Sequence, residues 1–354
     1  MFGEDRATRV GIDGDSFTIN DSVTYEGKAF EGRSIEGLLL NSRMIQALFD
    51  DENPETRDRW VYPDTGEWDP ERNVTEFVEA LPTYYEYGLR AVTINLQCGN
   101  PIGYSPEHPQ IVSAYHEDGS LKDAWLERLQ QVLDAADEVG MVIILGLFYQ
   151  GQDNRLQDEQ AVKQGVENVI DWLLANEYTN VLIELNNECN ALPSMGWGYD
   201  HTILRPGRVS ELIELVKSKE KDGFRYLVGT SFTGGRIPED NVIAVSDFAL
   251  IHGNGIDDPW RLQEMVTETK QLPCYTEMPI VFNEDDNYDF LSHPNNMLVA
   301  IINGASWGYY DAGRNNYHDG FQSPPVDWEI NSERKKEFFE YVKWIVHDNP
   351  ESRT

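Results

Sequence analysis

Residues 180–190 of the chain read NVLIELNNECN, an apolar run that ends in a group of polar side chains. Four of the five residues 181–185 are aliphatic, which is typical of a strand in a parallel sheet covered on both faces. Because side chains alternate along a strand, four residues are predicted to share one face: Leu182, Glu184, Asn186 and Glu188. A carboxylate at the carboxyl end of such a strand is a candidate for proton transfer.

The same succession of apolar strand, polar loop and amphipathic helix recurs along the chain. The predicted strands are Glu36–Ser42, Arg90–Gln97, Met141–Phe148, Asn180–Asn187, Tyr226–Phe232, Phe248–Asn254, Pro279–Glu284 and Ala305–Asp311. The predicted helices are Val74–Tyr87, Asp123–Val139, Glu159–Ala175, Pro206–Lys219, Asp258–Gln271 and Ser332–Val346. Pro82 is expected to kink or split the first helix. Residues 16–30 alternate around an Asn-Asp turn signal and predict a short hairpin.

Strands that alternate with helices in this way predict a single (β/α)8 TIM barrel over residues 1–354, with residues 1–34 as an N-terminal hairpin extension. An open doubly wound sheet is the alternative. That fold usually carries a glycine-rich phosphate turn after its first strand, whereas residues 41–44 here read NSRM. The barrel is therefore the favoured architecture.

The chain is strongly acidic, with 62 Asp and Glu against 28 Lys and Arg and a formal net charge of -34. Nucleic acids and anionic membranes carry charge of the same sign, so both are excluded as expected partners. The scattered acidic residues predict adaptation to high salt, with an ordinary acidic secreted protein as the alternative. The first ten residues contain no apolar signal segment, so a cytoplasmic location is expected, or a secreted one if an export signal was removed.

A second strand also ends in a carboxylate. Residues 279–285 read PIVFNED, and alternation predicts that Ile280, Phe282 and Glu284 share a face. In a barrel all strands end at the same mouth, and the fourth and seventh strands face each other across it. Two carboxylates placed in this way, Glu188 and Glu284, can flank a glycosidic bond, where one acts as acid and the other as nucleophile.

The stretch ELNNE at residues 184–188 resembles the strand-four motif of clan A glycoside hydrolases, particularly the cellulase-like family five. The resemblance implies a retaining O-glycoside hydrolase without a cofactor, whose substrate is an oligosaccharide or polysaccharide. It implies that Glu188 is the acid/base, Glu284 the nucleophile and Asn187 the ligand of the sugar 2-hydroxyl. His252 resembles the histidine of strand six in this clan, and Trp307 resembles its sugar-stacking tryptophan of strand eight.

The chain departs from the family pattern at three strand ends. Cys189 replaces a common proline, Gly146-Leu147-Phe148-Tyr149 stands where relatives often have an Asp-x-His, and Gly253-Asn254 replaces an expected aromatic. Other candidate substrate-binding residues follow from their places near the barrel mouth: Asn41, Arg43, Asn95, Tyr149 and Asn254. Trp197, in the loop after strand four, is a further candidate platform. Glu184 lies deeper in the barrel and is interpreted as structural, with Arg43 or Arg90 as its partner.

Two other functions are compatible with the sequence. A metal-dependent barrel isomerase or hydrolase would use four oxygen ligands: Glu184, Glu188, Glu284 and Asp285. The first strand lacks the His-x-His pair of many such enzymes, which weakens this alternative. A carbohydrate-binding barrel without turnover is the second alternative. None of the three cysteines (Cys98, Cys189 and Cys274) forms a metal-like pair, and together they do not make a disulfide framework.

Overall fold

The computed structural model describes residues 2–102, 109–192, 198–311 and 319–353. Within these ranges the strands are β1 (Val10–Asp13), β2 (Ser16–Ile19), β3 (Ser22–Val23), β4 (Ala29–Phe30), β5 (Arg33–Ser34), β6 (Asn41–Arg43), β7 (Ala91–Asn95), β8 (Val142–Phe148), β9 (Val181–Asn186), β10 (Leu227–Gly229), β11 (Ala249–His252), β12 (Ile280–Asp285) and β13 (Ser306–Tyr309). The α-helices are α1 (Pro70–Glu86), α2 (Asp123–Val139), α3 (Glu159–Ala175), α4 (Val209–Ser218), α5 (Asp240–Ile243), α6 (Trp260–Lys270), α7 (Asn296–Ile302) and α8 (Glu333–Lys343). A π-helical turn at Trp344–Asp348 follows α8.

The central sheet contains eight parallel strands in the order β10-β9-β8-β7-β6-β13-β12-β11. Its two end strands meet at a seam, where the backbone N–H of Asp247 donates to the carbonyl of Val228 at 2.9 Å. This order is that of a barrel followed around its circumference, and it differs from that of a doubly wound sheet. The prediction of a (β/α)8 barrel is confirmed.

A small antiparallel sheet of β1, β2 and β3 closes the barrel at the end where its strands begin. Val10 and Phe17 from this sheet belong to one buried cluster with inward-facing residues of the barrel: Leu39, Ala91, Val142, Leu182, Phe248, Leu250 and Val281. Asn20 and Asp21 have positive φ angles of 54° and 63°, as a type I′ hairpin turn requires. The predicted hairpin is therefore present, and it covers the end of the barrel opposite to the one where the strands terminate.

The long surface helices agree with the sequence pattern. α2 and α3 begin and end at the predicted residues, and Gly140, with φ of 93°, ends α2 in the left-handed conformation that glycine adopts freely. α1 runs through Pro82 without being split, because its buried face (Phe77, Leu81 and Tyr84 among others) is held by tertiary packing. No α-helix in the described part of the chain is long and apolar enough to span a membrane.

α7 is a helix that periodicity does not indicate. Its residues 296–301 are all buried, so the segment has no polar face from which a helical period could be recognised. The side chain of Asn295 accepts a hydrogen bond from the backbone N–H of Leu298 (2.9 Å) and caps the helix at its first turn. α7 packs behind β12 and β13, and this position matters for the site described below.

Candidate active site

Two glutamates meet at the open end of the barrel. A carboxylate oxygen of Glu188, one of Glu284 and a ring nitrogen of His252 all lie within 4.8 Å of one another. The two glutamates follow β9 and end β12, which are three strands apart around the barrel, and each is only 4% exposed. The structure thus brings together the two carboxylates that the sequence analysis placed on facing strands.

Arg43, the last residue of β6, is buried beside these carboxylates. Its Nε lies 2.5 Å from Oε2 of Glu284, and its Nη1 lies 3.6 Å from Oε2 of Glu184. Glu184 also accepts hydrogen bonds from Ser231 Oγ (2.6 Å) and Asn283 Nδ2 (3.2 Å). Ion pairs removed from water are little screened, so one guanidinium holds two carboxylates in place. Arg43 is therefore the partner of Glu184.

A β-bulge in β12 decides where the side chain of Glu284 points. Phe282 and Glu284 pair with the consecutive residues Ile251 and His252 of β11, so β12 holds one residue more than its neighbour, and its register with β13 shifts over the same stretch. An extra residue reverses the alternation of side chains beyond it. Ile280 and Phe282 accordingly pack outward in the main core, whereas Glu284 faces the barrel axis. The prediction that these three residues share a face is wrong.

Asp285, directly after the bulge, points away from the axis and is fully buried. Its Oδ2 accepts hydrogen bonds from Trp307 Nε1 (2.8 Å) and Asn296 Nδ2 (3.0 Å), and its Oδ1 accepts one from the backbone N–H of Asn287 (3.0 Å). Burial raises the pKa of Asp285 to about 7, against the effect of these hydrogen bonds, which favour the ionised form. Asp285 therefore ties the bulge to β13 and α7.

Asp285→Asn is expected to weaken this connection, because an amide NH2 group would face donors where a carboxylate oxygen now accepts. We expect a loss of about 1–3 kcal/mol in the free energy of unfolding and a lower kcat, since Glu284 is the adjacent residue. Denaturant unfolding and steady-state kinetics on the same preparation measure both effects. Asp289→Asn, at an exposed position after β12, is the matched control. Unchanged stability and kcat in Asp285→Asn would contradict the supporting role.

Glu188 is aimed by a turn and not by the strand before it. β9 ends at Asn186, and Glu188 has φ of 48°, a left-handed conformation that is uncommon for residues other than glycine. The backbone N–H of Glu188 donates to Ser231 Oγ (2.8 Å), and that of Cys189 donates to the Ser231 carbonyl (2.9 Å). The side chain of Asn186 bonds to Thr230 instead of facing the carboxylates. The prediction that Asn186 and Glu188 share a face is therefore wrong.

The carboxylate of Glu188 is held from two sides. Its Oε1 lies 3.2 Å from Nδ1 of His252, and its Oε2 accepts from Gln150 Nε2 at 3.3 Å. Gln150 Oε1 in turn accepts from Asn187 Nδ2 (3.2 Å), and Asn187 Oδ1 accepts from Arg43 Nη2 (2.7 Å). An unbroken series of hydrogen bonds therefore links the carboxylate of Glu188 to the guanidinium that binds the other glutamate.

Asn254, two residues beyond His252, donates from Nδ2 to Oε1 of Glu284 at 2.7 Å. Burial raises the pKa of Glu284; Arg43 and His252 oppose this shift, Glu188 adds to it, and the net direction is upward. Burial acts to lower the pKa of His252, but the carboxylates of Glu284 and Glu188 outweigh it, so that pKa is raised.

Tyr149 and Tyr310 lie beside this cluster, beyond the ends of β8 and β13. Burial raises the pKa of both phenols, and the negative charge of Glu284 raises it further. Both side chains therefore stay neutral hydroxyl groups, which can donate a hydrogen bond to a ligand. Tyr149 is partly exposed, and its backbone N–H is fixed by Gln97 Oε1 at 2.9 Å.

The structure does not bring all predicted residues to the mouth. Trp307 is fully buried, faces outward and packs against Phe290 and Phe338, so it presents no ring face to a sugar, which corrects the prediction of a stacking platform. Asn41 faces inward but lies two residues before Arg43 on β6, one layer deeper in the barrel. Asn95 faces the axis at the level of Gly146 and is 1% exposed. Trp197 lies outside the described residues.

Three neighbours of the two glutamates were not nominated from the sequence: Gln150, Ser231 and Tyr310. Strand alternation could have found Tyr310, because it shares the inward parity of Ser306 and Gly308 on β13. Gln150 and Ser231 lie past the ends of their strands, where no period assigns a direction. Burial raises the pKa of the Cys189 thiol well above its usual range, so this cysteine remains an inert thiol next to Glu188.

Within the described ranges, the spacing of Glu188, His252 and Glu284 would also suit a metal ion. Arg43, however, already places a positive charge at 2.5 Å from Glu284, which disfavours a cation there. The four-oxygen site of the metal-dependent alternative is not formed, since Asp285 faces outward and Glu184 is bonded to Ser231. The cluster therefore fits proton transfer and nucleophilic attack better than metal binding.

Fold and site together define a (β/α)8 barrel with two buried carboxylates facing each other at the carboxyl ends of its strands. No protein-family model matches the chain, and no curated protein matches it. Solved structures do share its fold. A family 5 glycoside hydrolase from Bacteroides vulgatus superposes with a TM-score of 0.57 at 13% identity, covering 97% of this chain and 72% of that one.

The endo-1,4-β-mannanase of Rhizomucor miehei has a TM-score of 0.59 at 11% identity and covers 96% of this chain and 99% of its own. An exo-β-1,4-mannosidase from Opitutaceae bacterium strain TAV5 has a TM-score of 0.53 at 16% identity. The match covers 94% of this chain and 62% of that one. At such low identities the similarity is one of fold. It agrees with the barrel of clan A, family five, that the ELNNE motif predicted.

Proposed function

We propose that the protein is a retaining glycoside hydrolase that cleaves O-glycosidic bonds by double displacement. The observation that carries this proposal is the convergence of Glu188 and Glu284, two buried carboxylates with oxygens within 4.8 Å of each other. Retaining enzymes place their two carboxyl groups about 5–5.5 Å apart, whereas inverting enzymes need about 6.5–9.5 Å to admit a water molecule. The short separation supports retention of configuration.

In the first step Glu284 attacks the anomeric carbon while Glu188 donates a proton to the departing glycosidic oxygen. The glycosidic C–O bond breaks, an ester bond forms between Glu284 and the sugar, and the leaving group departs as an alcohol. Arg43 forms an ion pair with Glu284, and Asn254 donates a hydrogen bond to it. Both contacts orient the carboxylate and favour the ionised form that attack requires. The surroundings of the two glutamates are thus unlike, as their different roles demand.

In the second step Glu188, now ionised, takes a proton from a water molecule whose oxygen attacks the anomeric carbon. The ester bond breaks and Glu284 leaves as a carboxylate, so two inversions give net retention. His252 and Gln150 hold the carboxylate of Glu188 throughout, at 3.2 Å and 3.3 Å. Asn187, bonded to both Arg43 and Gln150, connects the surroundings of the two glutamates, and the family resemblance assigns to its amide the sugar 2-hydroxyl.

The test is to trap the covalent intermediate. A panel of activated 2-deoxy-2-fluoro glycosides is incubated with the protein, and β-mannosides are tried first because two proteins of the same fold are named for action on β-1,4-mannosides. We expect a mass increase of one fluorosugar, located by peptide mapping on Glu284. The assay is run at low and high salt because of the net charge of -34.

Two controls separate this function from its alternatives. Glu284→Gln must fail to label, and hydrolysis must persist in a strong chelator if no metal takes part. Activity that is lost on chelation and restored by a divalent cation would favour the metal-dependent barrel enzyme. Sugar binding without labelling or turnover across the panel would favour a carbohydrate-binding barrel.

Arg43→Gln is expected to move the acidic limb of the kcat/KM profile to higher pH. Glu284 must be ionised to attack, and removing the positive charge at 2.5 Å raises its pKa further. An adjacent opposite charge shifts a carboxyl pKa by about 1–3 units, so the limb should move by about 1–3 pH units. Arg43→Lys keeps the charge and should restore part of the shift. A limb that stays in place, or moves to lower pH, in an active Arg43→Gln variant would contradict this role.

A further inference from the structure

A cleft of about 770 Å³ opens beside Glu188 and continues along the loops that follow β10 and β11. Glu188 forms part of its wall, whereas Glu284 does not. Three apolar side chains line it, Leu192, Phe232 and Ile237. Beyond Glu188, its charged lining residues are Arg236, Glu239 and Asp286. The cleft is thus continuous with the candidate active site on the side of the proposed acid.

A general acid protonates the oxygen that departs, so the leaving group must lie on the side of the acid. We propose, on the basis of the proposed function above, that this cleft binds the leaving group and that its preferred occupant is an aromatic aglycone and not a further sugar. The substrate class is then an aryl or arylalkyl glycoside. Three properties of the cleft wall carry this assignment.

The first property is its apolar surface. Leu192 is 51% exposed, whereas large apolar side chains in the described part of the chain are mostly buried. Phe232, only 1% exposed, and the partly buried Ile237 also belong to the wall. An apolar ligand placed here would remove surface from water on both partners, whereas a sugar would cover Leu192 with hydroxyl groups that gain no partner there.

The second property is that an amide of the wall already makes its hydrogen bonds within the protein. Asn190 lies on the wall, two residues before Leu192 in the chain. Both ends of its side chain are engaged with Thr233: Nδ2 donates to Oγ1 at 2.9 Å, and Oδ1 accepts from the backbone N–H at 2.8 Å. Asn254 donates to Glu284 from its Nδ2. A sugar is recognised through hydrogen bonds to its hydroxyls, and the side chain of Asn190 already makes its hydrogen bonds within the protein.

The third property is Arg236. It is exposed on the cleft wall, and within the described ranges no carboxylate forms an ion pair with it, although acidic residues outnumber basic ones 62 to 28 in the chain. A planar guanidinium that is not bound to a carboxylate stacks readily on an aromatic face. An aromatic aglycone therefore satisfies both the apolar side chains and the arginine.

The experiment compares three substrates with the same glycone and unactivated alcohol leaving groups: the methyl glycoside, the 2-phenylethyl glycoside and a disaccharide. The glycone is the sugar that labels or turns over best in the panel above. We expect kcat/KM for the 2-phenylethyl glycoside to exceed that for either of the others by about tenfold or more, since pocket contacts of this size discriminate at that level. The difference should reside mainly in KM.

Leu192→Ser and Arg236→Gln should each lower the ratio of kcat/KM for the 2-phenylethyl over the methyl glycoside, by about tenfold for the leucine. Leu291→Ser is the matched control, because Leu291 is 84% exposed and is not part of the cleft wall. Thermal unfolding of each variant shows that the protein tested is folded. The use of a ratio cancels any general loss of activity.

Two results would overturn the inference in different ways. If the disaccharide is the best substrate and the ratio is the same in Leu192→Ser as in the parent, the leaving-group assignment fails while glycoside hydrolysis stands. If none of the three substrates is cleaved and no fluorosugar labels Glu284, the proposed hydrolase function fails and the inference fails with it.

Discussion

Glu284→Ala is expected to lower kcat on every glycoside by at least about a thousandfold, the scale of loss seen when a covalent nucleophile is removed. Without this carboxylate no glycosyl ester can form, and the positive charge that develops at the anomeric carbon loses its nearest anion. The removal also leaves Arg43 with Glu184 as its remaining acidic partner. Glu127→Ala, an exposed glutamate on α2, is the matched control and should retain parental kcat.

Small anions give this prediction a stereochemical readout. With Glu284→Ala and an activated aryl glycoside of the natural anomeric configuration, azide or formate can occupy the space of the missing carboxylate and attack the anomeric carbon as the aryloxide departs. Azide acting in place of Glu284 on the normal substrate should give a glycosyl azide of inverted configuration. A product of retained configuration would show that Glu284 is the acid/base, and unchanged hydrolysis without added anions would remove it from the mechanism.

The barrel was predictable because its signals are local and repeated. Residues 123–139 and 159–175 each combine an apolar stripe with a polar face, and the structure begins and ends α2 and α3 at those residues. α7 has no such stripe, since residues 296–301 are buried on every side. Periodicity recognises elements that lie at the surface of the core, and it fails for an element that lies inside it.

The two carboxylates were placed at the right strand ends, but the reasoning about their direction was wrong. Strict alternation would have put Glu284 on the outward face with Phe282, and only the bulge in β12 turns it inward. Glu188 reaches the axis through a left-handed turn held by Ser231. Bulges and strained turns break the period on which sequence reasoning depends, and they occur most often next to functional sites.

Which charges pair across a barrel depends on the register of its strands. The residue types alone do not specify that register. The sequence left Arg43 and Arg90 as equal candidates for Glu184, and only the strand pairing separates them. Arg43 ends β6 at the level of the carboxylates, whereas Arg90 precedes β7 and donates to the carbonyls of Tyr85 and Leu89 at the other end of the barrel. The same dependence on direction applies beside β13, where Trp307 faces outward and Tyr310 lies beside the carboxylates.

Glu188→Ala is expected to affect substrates according to their leaving groups. Unactivated alkyl glycosides need a proton on the departing oxygen, so their kcat/KM should fall by about 10²–10⁴-fold, the usual contribution of a general acid. Dinitrophenyl glycosides depart without that proton, and their first step should be nearly unaffected. Their second step still lacks a base, so a burst of phenolate followed by slow turnover is expected in rapid-mixing experiments.

Azide again assigns the role. In Glu188→Ala it should attack the glycosyl ester on Glu284 without needing a base, which speeds turnover of the dinitrophenyl glycoside and gives a glycosyl azide of retained configuration. His252→Ala provides the comparison, because it removes the contact of His252 with Glu188 at 3.2 Å and keeps the carboxylate. In this variant the alkyl and dinitrophenyl glycosides should keep the relative rates that they have with the parent protein. If Glu188→Ala slows alkyl and dinitrophenyl glycosides by the same factor, and azide restores neither, then Glu188 transfers no proton to the leaving oxygen.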